Sequence, residues 1–206
     1  ASEAFAEALR SRTSTPVEVM LQATDPFRFH RVTPDPRHSH AVAVVAMTRH
    51  VFRPAVRDAV EAGLRPAIYG AEWRDLVDPA LIVAPYVHNH RLPVVYSSIG
   101  VLLNDHWNAM RGLGFVSNRI FDALACETPV VSDHMPEIPA LFGDAVATFD
   151  GPESLRAAVD EVLDDPVSAR VRAQKGRDVV LDGHTFSHRA EELVRHLTAH
   201  DLVRRP

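Results

Sequence analysis

The chain has 206 residues, of which 46% are hydrophobic and 24% are charged, a composition typical of a globular protein. Its net charge of -5 at pH 7 argues against a general nucleic-acid or membrane-surface binder, since both functions need a positive face. A single cysteine, Cys126, excludes an internal disulfide, and no segment reaches the length of a membrane span, so we expect a cytoplasmic protein.

The first forty residues predict one α/β unit followed by a linker. Apolar residues at helical spacing predict a helix over residues 2–12, and alternation predicts a strand over residues 17–21. Residues 25–40 hold three prolines and three histidines without periodicity, which is typical of a linker. We therefore assign residues 1–40 to the remnant of an N-terminal domain plus its linker, and residues 41–206 to a second domain.

From residue 41 onward, apolar strands alternate with helices. Strands are predicted over residues 41–47, 66–70, 81–87, 100–103, 129–131 and 145–149. This pattern indicates an α/β fold, a doubly wound parallel sheet covered on both faces. The usual order of six such strands, 3-2-1-4-5-6, places a ligand outside the carboxyl ends of strands 1 and 4. Three C-terminal helices are predicted to pack on the sheet, over residues 153–163, 167–181 and 185–203.

The most informative segment covers residues 114–133, a polar loop, a helix and a buried strand. The first turn of the helix holds Ser117, Asn118 and Arg119. First-turn amides have no partner within the helix, the helix dipole favours negative charge, and Arg119 adds a forked donor suited to phosphate oxygens. Asp122, three residues after Arg119, lies on the same helical face. The segment predicts a pocket for a nucleoside diphosphate and its ribose.

Two other segments bring polar residues to the same edge of the sheet. Thr48 and Arg49 follow strand 1, and Arg53 begins the next helix, so three arginines in an acidic protein predict an anionic partner. Strand 4 ends in the sequence Asn104-Asp-His-Trp. A functional interpretation places Asn104 among the donor-binding residues and His106 near the sugar or diphosphate. The alternative is a turn whose side chains only satisfy backbone amides.

Several other classes of site are disfavoured. The pairs of histidines at residues 38 and 40 and at residues 88 and 90 are a poor zinc signature without cysteines or a helical His-Glu-x-x-His motif, and surface histidines are the alternative. The chain also lacks the glycine-rich loops of dinucleotide oxidoreductases and P-loop ATPases, and the nucleophile elbow of serine hydrolases.

The chain resembles the CgeB-like, group 1 glycosyltransferases. The resemblance covers most of the chain from about Gln22 onward. It is carried by Asn104-Asp-His-Trp, by residues 114–125, by Pro129-Val-Val-Ser-Asp and by His184-Thr-Phe-Ser-His-Arg. It implies that the second domain is the Rossmann-like, nucleotide-sugar-binding half of a GT-B enzyme.

The resemblance also implies roles for individual residues. Asp122 would hold the donor ribose, and residues 117–119 would form the diphosphate loop. Arg49 and Arg53 would neutralise the departing diphosphate, so that neither a metal nor another cofactor is needed. The chain departs from the family pattern at Gly114, where related transferases carry a carboxylate.

We therefore expect a glycosyltransferase, of the retaining type, that moves a sugar from a nucleoside-diphosphate donor to an unidentified acceptor. Such an enzyme would be incomplete without an N-terminal acceptor domain. One alternative is a non-catalytic binding or assembly module with a degenerate GT-B half-fold. Another is a sugar-nucleotide epimerase, which would form product without an acceptor.

Overall fold

The structure is a computed structural model that describes residues 2–200 and residue 202. Strands and helices alternate through most of this part of the chain. The strands are β1 (Val42–Val45), β2 (Ala67–Tyr69), β3 (Ile82–Ala84), β4 (Val101–Asn104), β5 (Val130–Asp133) and β6 (Val146–Phe149). The helices are α1 (Glu3–Arg10), α2 (Pro54–Glu61), α3 (Leu92–Ser98), α4 (Asn108–Leu113), α5 (Asn118–Ala125), α6 (Glu137–Phe142), α7 (Pro152–Asp164), α8 (Pro166–Gly183) and α9 (Phe186–Ala199).

The six strands form one parallel sheet in the order β3-β2-β1-β4-β5-β6. The register places Val44 of β1 opposite Leu103 of β4, and Leu103 opposite Val131 of β5. These three side chains are buried because helices cover both faces of the sheet. The predicted fold class and strand order are confirmed.

Alternation along each strand divides the core into two clusters, one on each face of the sheet. Leu102 of β4 packs with Phe121 of α5 and Val95 of α3 on one face. Its neighbour Leu103 packs with Val56 of α2 on the other face, in a cluster that also includes residues of α7. The two faces are therefore assembled from different helices, and the carboxyl edge of the sheet lies between them.

One predicted strand is absent, and two helices were not predicted. Residues 17–21 form no strand, because no neighbouring strand offers them a ladder, and the region contributes only an isolated bridge between Thr24 and Thr185. Helices α4 and α6 were not predicted, since each has six residues and α6 contains Pro139. Short helices of this kind carry too little periodicity to be recognised.

Helix α9 differs from its prediction in both length and packing. It ends at Ala199, and the part of the prediction at residues 201 and 203 lies outside the described residues. None of its residues is buried, and Leu193 and Val194 are 47% and 60% exposed. The apolar stripe of α9 does not pack on the sheet, in contrast to the prediction.

Residues before position 41 contact the sheet domain at several points. Phe5 packs edge-on against Phe115, with ring centroids 5.2 Å apart, and Phe29 is buried in the core. The amide of Thr24 donates to the carbonyl of His184 at 3.0 Å. The domain boundary after residue 40 remains a prediction. Within residues 2–200, no helix combines the length and the apolar character needed to cross a membrane.

Candidate functional site

The candidate site lies where the strand order reverses, between β1 and β4. The chain continues from β1 toward one end of the sheet and from β4 toward the other. Ligands of open α/β sheets bind outside the carboxyl ends of the strands at such a point. The segment after β1, the end of β4 and the end of β5 all contribute polar side chains to this edge. The first turn of α5 lies beside them.

Arg53 is held in a buried ion pair at this edge. Its Nη2 donates to the carboxylate of Asp105 and, at 2.9 Å, to the carbonyl oxygen of the same residue. The other carboxylate oxygen of Asp105 accepts from the amide of Ala55 at 3.1 Å, in the first turn of α2. The guanidinium also lies 4.3 Å from the ring centroid of Trp107. The positive charge of Arg53 is therefore compensated within the protein.

The turn after β1 presents Arg49 to solvent. Arg49 and His50 both have left-handed backbone, with φ of 50° and 60°, which costs about 1–2 kcal/mol for each residue that is not glycine. The buried Thr48 hydroxyl donates to the carbonyl of Val51 at 2.6 Å and closes the turn. The guanidinium carbon of Arg49 lies 5.8 Å from the Trp107 ring centroid. The turn thus brings a second arginine to Trp107 without using glycine.

Among the described residues, no carboxylate forms an ion pair with Arg119. Its Nη1 donates to Oδ1 of the buried Asn104 at 2.6 Å, and Asn104 in turn donates to the hydroxyl of Ser132 at 2.9 Å. Within the described residues, no carboxylate oxygen lies within 4.0 Å of its guanidinium nitrogens. Burial and, more weakly, the charge of Arg53 lower the pKa of Arg119. An anion at this position would gain a charge-assisted partner.

His106 connects the ends of β4 and β5 to the start of α5. Its Nε2 accepts from the amide of Ser117 at 2.9 Å, so Nδ1 carries the proton and donates to Asp133 at 2.6 Å. The ring is completely buried, and both nitrogens are bonded. The position of His106 beside the sugar or diphosphate remains a prediction, but the ring presents no free nitrogen to a ligand. Its contacts instead hold the first turn of α5.

The same contacts reduce the number of free amides at α5. The Ser117 amide is bonded to His106, and the Arg119 amide donates to the Ser117 hydroxyl at 3.4 Å. The expectation of unpartnered first-turn amides therefore does not hold for these two groups. The helix dipole and the Arg119 side chain remain as attractions for an anion.

Asp122 is buried on the inner face of α5 and accepts two hydrogen bonds. The Thr24 hydroxyl donates to Oδ1 at 2.6 Å, and the Asn118 side-chain amide donates to Oδ2 at 2.9 Å. Burial raises the pKa of Asp122 to about 6, and the two hydrogen bonds oppose this effect without overcoming it. Only 9% of the residue is exposed. A ribose could bind this carboxylate only by displacing the side chain of Thr24 or of Asn118 from it.

Residues 45–195, more than half of the chain, match the sequence profile of a family described as glycosyl transferase-like. The chain belongs to this glycosyl transferase-like family. All the predicted site residues lie within the matched segment. No curated protein sequence matches the chain.

Solved structures show the same fold for this glycosyl transferase-like chain. Sucrose-phosphate synthase from Thermosynechococcus elongatus is 17% identical, with a TM-score of 0.68 over 95% of this chain and 57% of the synthase chain. TarM is 12% identical, with a TM-score of 0.58 over 94% and 42% of the two chains. A GtfA/B complex is 13% identical, with a TM-score of 0.56 over 86% and 39%. The chain thus spans little more than half of the synthase chain and less of the others.

Three residues of the glycosyl transferase-like domain matter to the site in ways that the sequence did not reveal. Asp105 neutralises Arg53, Asp133 orients His106, and Thr24 bonds to Asp122 from 98 residues away. The sequence does place Asp105 directly after β4 and Asp133 at the end of β5, so both could be expected to face the crevice, but it does not reveal their partners. Nothing in the local sequence around Thr24 signals its contact, since the partner is distant along the chain.

Proposed function

We propose that the chain is the donor-binding half of a glycosyltransferase, which moves a sugar from a nucleoside diphosphate to an unidentified acceptor. The observation that carries the proposal is the Arg119 guanidinium, which lies at the start of α5, is fixed by Asn104 and has no carboxylate partner within the described residues. Positive charge of this kind stabilises the charge that develops on a leaving diphosphate. Membership in the glycosyl transferase-like family supports the same reaction.

The roles of the site residues follow from their contacts. Residues 117–119 face the diphosphate, with Arg119 as the main positive group. Arg49 adds a second exposed charge, and Arg53 contributes chiefly by supporting Trp107, because Asp105 already neutralises it. The reaction in this proposal needs no metal, since the arginines stabilise the leaving group. Donor binding that is unchanged by a chelator would agree with this part of the proposal.

The other predicted residues shape the pocket. Thr48 closes the turn that carries Arg49, Asn104 orients Arg119, and His106 positions the start of α5. Asp122 would bind the ribose after Thr24 moves away from its carboxylate.

Similarity to CgeB-like transferases supports transfer with retention of the anomeric configuration. NMR of the product would test this, because it reports that configuration. The single, buried Cys126 supports a location in the reducing cytoplasm.

The experiment that tests the proposal is calorimetric binding of UDP, GDP and ADP to the wild-type chain and to Arg119→Ala. Loss of one charge-assisted hydrogen bond costs about 1.5–3 kcal/mol, or roughly 10- to 150-fold in affinity. Arg156→Ala is the matched control, since Arg156 is exposed and bonded to Asp160 on α7. Equal affinities of Arg119→Ala and the wild type for every nucleotide would remove Arg119 from the site and refute the proposal.

One observation favours the alternative, a non-catalytic binding or assembly module. Asp122 is 9% exposed, and each of its oxygens already accepts a hydrogen bond. A module that never binds ribose would keep the carboxylate closed in this way. Thermal unfolding with the same nucleotides and their sugar conjugates separates the two functions, because a bound ligand stabilises the native state in proportion to its occupancy. No shift with any of these compounds would favour the module.

A further inference from the structure

A cavity lies beside the start of α5, between the N-terminal segment and α6. It has a volume of about 220 Å³, and its lining includes Glu3, Leu21, Gly114, Val116, Glu137 and Leu141. Pockets for drug-sized ligands enclose roughly 300–1,000 Å³, so this one suits a smaller group. Val116 immediately precedes Ser117, where the proposed diphosphate site begins. The cavity and that site are therefore adjacent.

Among the described residues, one carboxylate that lines the cavity has no partner. Two acidic residues line it, Glu3 and Glu137. The carboxylate of Glu3 is bound to Arg10. That of Glu137 is only partly exposed, and within the described residues it makes neither a hydrogen bond nor an ion pair. A half-buried carboxylate has a strong capacity to accept hydrogen bonds, and here that capacity is unused.

Gly114 allows Glu137 to occupy this position. A Cβ atom on Gly114 would collide with Oε1 of Glu137 and with the side chain of Ser2. Gly114 also has left-handed backbone, with φ of 67°, as the residue that ends α4. The absence of a side chain at Gly114 thus lets the Glu137 carboxylate lie directly against the loop that leads to α5. This contact links the end of α4 with the start of α6, and residues 115–136 lie between them in the chain.

We infer that Glu137 recognises the hydroxyl groups of the donor sugar in this cavity, an inference that rests on the proposed function. A sugar ring offers adjacent hydroxyl donors and an apolar C–H face. The carboxylate matches the hydroxyls, while Leu21, Val116 and Leu141 match the apolar face. The sugar of a nucleotide donor is joined directly to the diphosphate, so its binding site must adjoin residues 117–119. Glu137 is thus a specificity-determining residue for the sugar.

The test compares nucleoside diphosphates with their sugar conjugates. Calorimetry would use UDP with UDP-glucose, GDP with GDP-mannose and ADP with ADP-glucose, on the wild-type chain and on Glu137→Ala. We expect Glu137→Ala to lower affinity for the nucleotide sugar about ten-fold or more, since a hydrogen bond to a charged group is lost. Affinity for the matching diphosphate should stay within about two-fold, because the diphosphate does not reach the cavity.

Two further variants sharpen the result. Glu137→Gln keeps the shape and one acceptor oxygen, so it should lose less affinity than Glu137→Ala. Glu3→Gln is the matched control in the same cavity, and it should leave affinity for both ligands unchanged because Glu3 is already bound to Arg10. Thermal unfolding of each variant would verify that the fold is intact.

The outcomes distinguish the inference from the proposed function. Wild-type chain that binds no nucleoside diphosphate and no nucleotide sugar would overturn both. Diphosphate binding with equal affinity of wild type and Glu137→Ala for the sugar conjugate would overturn the role of Glu137 alone. An equal loss for the diphosphate and the sugar conjugate would also overturn it, because the effect would then not arise at the sugar.

Discussion

The buried ion pair between Arg53 and Asp105 leads to a quantitative prediction about stability. The side chains of Arg53 and Asp105 are 6% and 3% exposed. In Asp105→Asn, the side-chain oxygen can still accept one hydrogen bond, but the Arg53 charge stays buried without an opposite charge. Removing one partner of a buried pair typically costs about 3–5 kcal/mol. We therefore expect Asp105→Asn to be strongly destabilised.

The size of this effect makes it readily measurable. Domains unfold with a free energy of about 5–15 kcal/mol, so the variant would lose a large fraction of its stability. A chain of this length loses roughly 2–4 °C in Tm for each kcal/mol, which corresponds to a fall of about 6–20 °C. Urea unfolding would give the free energy directly, and thermal unfolding would give the shift in Tm.

A double variant identifies the source of the loss. Arg53→Met removes the charge and keeps a long apolar side chain that can contact Trp107. Combined with Asp105→Asn, it should recover most of the lost stability, because no uncompensated charge remains. Asp160→Asn, which breaks an exposed pair with Arg156, should cost less than about 1 kcal/mol. A loss of less than about 1 kcal/mol in the unfolding free energy of Asp105→Asn would refute this reasoning. It would mean that Asp105 does not compensate the charge of Arg53.

Two more predictions concern α5 and its packing against α8. Asp122 has a pKa of about 6 in the native state and a pKa near 3.9 in the unfolded state. The native state therefore binds the proton of Asp122 more tightly than the unfolded state does. The contribution of Asp122 to stability should fall by on the order of 3 kcal/mol as pH rises from about 4 to about 6. Urea unfolding across this pH range should show that the stability of the wild type falls by this amount relative to that of Asp122→Asn. Gly176→Ala should destabilise the fold by about 1–3 kcal/mol, because its Cβ would lie 2.7 Å from Cδ2 of the buried Leu124 and 3.1 Å from Cβ of Ala145.

Each of these predictions has a definite contrary result. For Asp122, parallel stability curves of wild type and variant between pH 4 and pH 6 would show that the native carboxyl titrates like the unfolded one. For Gly176, the control is Gly183→Ala in the same helix, since a Cβ at Gly183 would meet no atom within 4 Å. Equal unfolding free energies for the two alanine variants would mean that close packing of α8 on α5 does not limit the side chain at Gly176.

Much of the fold could be predicted because it depends on local patterns. Apolar strands such as β1 and β4 are separated by amphipathic helices, which allows few arrangements other than a parallel sheet covered on both faces. The reversal of strand order then places Thr48, Arg49 and residues 104–107 at one edge. The prediction of a strand at residues 17–21 was wrong, because alternation predicts only an extended chain. A strand also needs a neighbouring strand with which to form hydrogen bonds, and residues 17–21 have none in the sheet.

The sequence by itself determined the sheet, its strand order and the edge where the arginines gather, because hydrophobic periodicity and helix-forming patterns act over a few residues. The tertiary structure decided which charges remain available: Asp105 neutralises Arg53, Arg119 forms no ion pair within the described residues, and Thr24 donates a hydrogen bond to Asp122. It also placed Glu137, which makes no hydrogen bond or ion pair within the described residues, against Gly114. The physical reason is that burial and charge compensation depend on pairs of residues far apart in the chain, and no local pattern records those pairs.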